Sequence, residues 1–106
     1  MVSKHYEVQR SEREKFIEER LGGDGKIVDS FLVDKGHIKG LEVHSITDNG
    51  IIIIHNKNSG KLVSKLIARP HQIIRYYEHT GREPPKEYKK ILKLARQHQI
   101  LGYNEI

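Results

Sequence analysis

Four consecutive isoleucines, Ile51–Ile54, follow Asp48-Asn49-Gly50 and precede His55. A β-branched run with no polar alternation has no wet face, so it predicts a strand buried on both sides and central in its sheet. Asn49-Gly50 in front of it is a strong hairpin signal, because both residues tolerate positive φ in a two-residue type I′ turn. These two features place an antiparallel hairpin at the middle of the chain, and the rest must pack around it.

The flanking segments extend the pattern. Lys26–Val33 and Leu41–Asp48 read as the first and second strands, Ile51–Asn56 as the third, and Lys61–Ala68 as the fourth, after a turn at Asn58-Ser59-Gly60. Residues 41–68 are therefore expected to form an antiparallel meander. Upstream, Ser11-Glu12-Arg13-Glu14 has the Ser-x-x-Glu form of a capping box. It predicts a helix opening at Ser11, with Phe16, Ile17, Arg20 and Leu21 inward, stopped by Gly22-Gly23-Asp24-Gly25. Residues 1–10 are expected to be frayed or only locally ordered. Downstream, Pro70 fits the first position of a helix to about His79. A last helix over about 86–101 carries Tyr88, Ile91, Leu92 and Ala95 as its apolar stripe and ends at Gly102. The expected fold is α+β: an N-terminal helix, a four-stranded antiparallel sheet and two C-terminal helices. At 106 residues, a single domain over 1–106 is expected.

Composition narrows the chemistry. With no cysteine, disulfides, thiolate metal sites and cysteine nucleophiles are excluded. A reducing cytoplasm is the expected location. The N-terminus has no apolar run of a signal peptide, and no stretch approaches the about 18 apolar residues that cross a bilayer. No membrane partner and no cofactor are expected. The net charge of +5 is unevenly spread: residues 1–56 hold 8 Lys/Arg against 10 Asp/Glu, and residues 57–106 hold 11 against 4. Such asymmetry points to a face that attracts polyanions, RNA ahead of DNA. Arg69 and Arg75 beside a helix start, and Lys86, Lys89, Lys90, Lys93 and Arg96 on the last helix, are the candidate phosphate contacts.

Register carries the site expectation. If Asn49-Gly50 is a two-residue loop, Asp48 faces Ile51 and His44 faces His55, making the two imidazoles cross-strand neighbours. A three-residue loop ending at Gly60 sets Ile53 opposite Lys65. One face would then carry Leu41, Val43, Ile52, Ile54 and Leu66 as core. The other would group Glu42, His44, His55 and Lys65. Two imidazoles and an ammonium suit metal-free RNA cleavage, which needs a base for the 2′-hydroxyl, an acid for the leaving 5′-oxygen and a cation for the charge that develops. Glu42 would orient His44 or act as the base. His5, His37, His71, His79 and His98 show no such grouping and are expected at the surface.

The stretch 48–67, DNGIIIIHNKNSGKLVSKLI, resembles the terminal sheet of barnase/RelE-type, colicin-like ribonuclease toxins. The likeness extends over about residues 11–69. It implies a small metal-independent ribonuclease that cuts on its concave sheet face and has an inhibitory partner protein. By that likeness His44, His55, Ser64, Lys65 and Arg69 are the site candidates, with no metal. Two alternatives stand beside it. Asp29 or Asp34 with Glu42-Val43-His44 is similar to the acidic pattern of metal-dependent restriction-like nucleases. A non-enzymatic nucleic-acid-binding or inhibitor module of a mobile element or phage would use the basic helices alone.

Overall fold

The structure, a computed structural model, describes the backbone of residues 4–100 and the side chains from residue 11 to residue 100. It contains α1 (Lys4–Arg20), β1 (Ile27–Asp34), α2 (Gly36–Lys39), β2 (Leu41–Thr47), β3 (Ile51–Asn56), β4 (Leu62–Ile67), α3 (Pro70–Thr80) and α4 (Tyr88–Ile100). The four strands form one antiparallel sheet in the order β1-β2-β3-β4. The α+β class, the meander and the interior place of β3 thus match the expectation. No helix among the described residues is long and apolar enough to cross a membrane.

Both faces of the sheet are covered, which explains the isoleucine run. Ile52 and Ile54 point to the side where α3 and α4 lie, in a core with Phe31, Ile46, Ile73 and Ile91. Ile51 and Ile53 point to the other side, where Ile17 of α1 closes a smaller core with Ile67. Burying an isoleucine contributes about 1.5–3 kcal/mol, so β3 alone anchors both layers.

Three helical expectations change. α1 begins at Lys4, so Ser11 and Glu14 lie inside the helix and do not cap it. Its inward side consists of Ile17, with Phe16 and Leu21 partly buried, while Arg20 is exposed. The segment between β1 and β2, where no helix is expected, holds the single-turn α2, entered through an Asp34 Oδ1 that accepts the Gly36 N–H at 2.8 Å. The expected cap of α4 at Gly102 lies outside the described residues. α3 starts as expected, with Pro70 in its first turn and the Gln72 side chain accepting the Arg69 N–H at 2.8 Å.

The central hairpin differs by one residue. The observed pairs are Val43 with His55, His44 with Ile54 and Ile46 with Ile52, so the loop is Asp48-Asn49-Gly50. The reason is local. Among the described residues no non-glycine has positive φ, so Asn49 does not take the type I′ conformation. Gly50 alone does, at φ 75. The Gly50 N–H returns to the Thr47 carbonyl at 3.1 Å, closing the three-residue loop. The segment before β1 holds this loop in place. Asn49 Nδ2 donates to the Leu21 and Gly23 carbonyls at 2.8 and 2.7 Å. Thr47 Oγ1 donates to the Asp24 carbonyl, and Asp48 Oδ1 accepts the Lys26 N–H at 2.8 Å.

Candidate functional site

The one-residue shift moves every β2 side chain to the other face. His44 and Glu42 now lie on the α3 side, while His55, level with Val43, lies on the α1 side. The expected His44–His55 pair does not form. Ile53 does face Lys65, as expected, but a bulge after Ile54 sets His55 opposite Leu62. Lys65 is held by Asp24 at 2.8 Å, and Arg13 bonds the Ser64 hydroxyl at 3.3 Å and the Lys65 carbonyl at 3.2 Å. The grouping of Glu42, His44, His55 and Lys65 on one face is therefore replaced by two separate sets. The expected division of the sheet into a core face and a mixed face carrying all four of these groups falls with it.

A different constellation forms on the α3 side. Glu42 and His44 are two apart on β2, so they share a face, and both are buried. Glu42 Oε1 lies 2.9 Å from His44 Nε2, and His44 Nδ1 lies 2.5 Å from the Tyr76 hydroxyl on α3. Burial and then the Glu42 carboxylate push the Tyr76 phenol up to about 12, so it keeps its proton and donates to Nδ1. With a neutral imidazole, Nδ1 accepts from the phenol and the Nε2–H donates to Glu42. The result is a directed chain, Tyr76 to His44 to Glu42. The Tyr76 ring is fixed by stacking on Phe31 at 5.0 Å.

This chain forms part of the wall of a groove of about 720 Å3. The apolar part comes from the sheet: Ile52, Ile54 and Leu66, with Phe31 and Val33 of β1. One side is the β1–β2 connection, with Lys35 and Lys39, and the other is α3, with Arg75 and His79. These four side chains are exposed. Against them stand Asp34, which lines the groove and accepts the Gly36 N–H, and the buried Glu42.

Of the expected phosphate contacts, only Arg75 lines the groove. Arg69 is exposed at the start of α3, where the Gln72 and Ile73 amides return to its carbonyl. Lys86, Lys89, Lys90, Lys93 and Arg96 are exposed around α4. Asp29 is engaged by Arg82 and by the Tyr77 hydroxyl, both at 3.0 Å, and that bond adds to burial in raising the Tyr77 phenol. No group of three or more His, Asp or Glu suited to a metal occurs among the described residues. His98, expected at the surface, is buried, with Nε2 2.8 Å from the Asn49 carbonyl.

Sequence reasoning missed Tyr76, His79, Lys35 and Lys39 as a set with Glu42 and His44. The available signal was Arg75-Tyr76 with His79 at helical spacing. What the sequence hides is that α3 crosses the sheet above His44. Comparison with protein-family models, curated proteins and solved structures finds no match to this chain.

Proposed function

We propose that the protein binds RNA in this groove and cleaves it there without a metal ion. The observation that carries the reading is the Tyr76–His44–Glu42 chain, which ends in a groove with Lys35 and Lys39 on one side and Arg75 on the other. In the proposed step the ribose 2′-hydroxyl passes its proton to the Tyr76 oxygen as the phenol passes its own to His44 Nδ1. The imidazolium so formed is paired with the Glu42 carboxylate. The 2′-oxygen bonds to phosphorus, and the phosphorus–5′-oxygen bond breaks. His79, three residues beyond Tyr76 on α3, gives the leaving 5′-oxygen its proton. Arg75 neutralises charge on the phosphoryl oxygens. The products are a 2′,3′-cyclic phosphate end and a 5′-hydroxyl end.

The test is incubation of the purified protein with a mixed RNA pool in EDTA. Cleavage with cyclic-phosphate ends is expected, at a rate that falls on both the acid and the alkaline side. Tyr76→Phe and His44→Ala should each lower the rate by about 10²-fold or more. His55→Ala and Lys65→Ala should leave it within a few-fold. No cleavage by the folded wild type rejects catalysis.

One observation favours a second reading, a binding module without catalysis. Both ring nitrogens of His44 are already engaged by protein groups, and a satisfied buried network also serves to fix α3 on the sheet. Under that reading Tyr76→Phe lowers stability and leaves RNA affinity intact, while Arg75→Glu weakens binding.

A further inference from the structure

We infer that the groove takes one unpaired nucleotide of a single strand, with the base turned in and the backbone carried between the two cationic sides. This inference rests on the RNA-binding reading above and specifies its substrate.

The distribution of chemistry across the groove is the basis. Cations stand on both sides: Lys35 and Lys39 at the β1–β2 connection, and Arg75 on α3. Between them the lining is apolar, with Ile54 and the half-exposed Leu66 beside the Tyr76 ring. A ligand that suits this order has negative charge at two ends and a flat apolar body between them. A nucleotide within a strand meets that description, since a phosphate flanks it on each side and its base presents an apolar face. The volume of about 720 Å3 is inside the about 300–1,000 Å3 range of sites that enclose a small ligand.

A duplex does not fit the same order. Its bases are stacked and paired inward, and only backbone and groove edges face the protein. It would meet the cations and leave the apolar lining in water. An exposed basic surface alone, such as α4, does not discriminate in this way, because phosphate contacts carry no information about base pairing.

Polar groups sit where a base edge would reach. The Tyr76 hydroxyl and the Glu42–His44 pair line the same groove, next to the apolar part. Phe31 does not serve as the stacking surface. One face of its ring is covered by Tyr76 at 5.0 Å, and the Arg82 guanidinium lies 4.0 Å from its centroid. The base therefore rests on the aliphatic lining, where Leu66 and Val33 are partly exposed and Ile54 is buried.

The experiment measures anisotropy of labelled 2′-O-methyl oligonucleotides, which cannot be cleaved through the 2′-oxygen. Three probes of equal phosphate count are compared: a single strand, a blunt duplex and a single strand made abasic throughout. The single strand is expected to bind at least about fivefold more tightly than either, because only it offers unpaired bases to the apolar lining. Leu66→Glu should remove that preference, and circular dichroism confirms its fold. Equal binding of all three probes by wild type overturns the inference and leaves RNA binding standing. Binding of none overturns RNA binding, and the inference with it. A groove that instead takes laurate, with intrinsic tyrosine fluorescence unaffected by the single strand, also overturns it.

Discussion

Tyr76 holds its proton for two reasons, burial and the nearby Glu42 carboxylate, and both raise its phenol from the ordinary 10.0 to about 12. The consequence for stability has a definite sign. Above pH 10 the unfolded chain releases a proton that the native state retains. The stabilisation is complete below about pH 10 and is lost as pH rises toward about 12. Tyr77, bonded to Asp29, shifts in the same direction and adds to the loss. Urea midpoints measured from pH 8 to 12 should fall steeply above pH 10, and Tyr76→Phe should flatten part of that fall. An unchanged slope in the variant would contradict the buried phenol. Gly25 is a second position where one residue decides. Its φ is +84, and an added Cβ would lie 2.5 Å from Asp48 Oδ1 and 2.8 Å from Asn49 Cβ. Gly25→Ala should cost about 2 kcal/mol or more in chemical denaturation, through strain and displacement of the loop it touches.

At the scale of elements, the central hairpin shows what was legible and what was not. The isoleucine run gave β3 its interior place because burial on both faces is written in consecutive residues. Register was not legible. It depends on whether Asn49 takes positive φ, and that is settled by Asn49 donating to Leu21 and Gly23, more than 25 positions away. Asn49→Ala should cost about 2 kcal/mol, because two part-buried carbonyls lose their donor. The edge strand β1 is a second case. The Ser30 N–H is bonded by the Asp29 carboxylate at 2.9 Å and its carbonyl by Arg82 at 2.5 Å. These bonds occupy both backbone groups of Ser30 on a strand that also exposes Leu32. Arg82→Ala should free the edge and promote self-association, seen as a concentration-dependent rise in sedimentation coefficient. A strictly monomeric variant would show that Arg82 does not guard the edge.

At the scale of the whole molecule, the sheet divides the charged chemistry. His55 and Lys65 lie on the α1 side. Glu42 and His44 lie on the α3 side, with the groove. The charge asymmetry of the sequence was legible and the groove was not, because Glu42, His44 and Tyr76 meet only once α3 lies across the sheet. Lys35, Lys39 and Arg75 come from segments of opposite overall charge, so a tally by halves could not group them. RNA affinity should fall with salt, with a log–log slope of about −0.7 per strand phosphate contacted, and Arg75→Glu should make it shallower. The most direct measurement is backbone amide shift mapping of the protein titrated with a 2′-O-methyl single strand. The expected result is perturbation concentrated at Lys35, Lys39, Arg75, Tyr76 and His79, with His55 and Lys65 unmoved. Perturbation centred on His55 and Lys65, or confined to α4, would contradict the groove as the place where RNA binds.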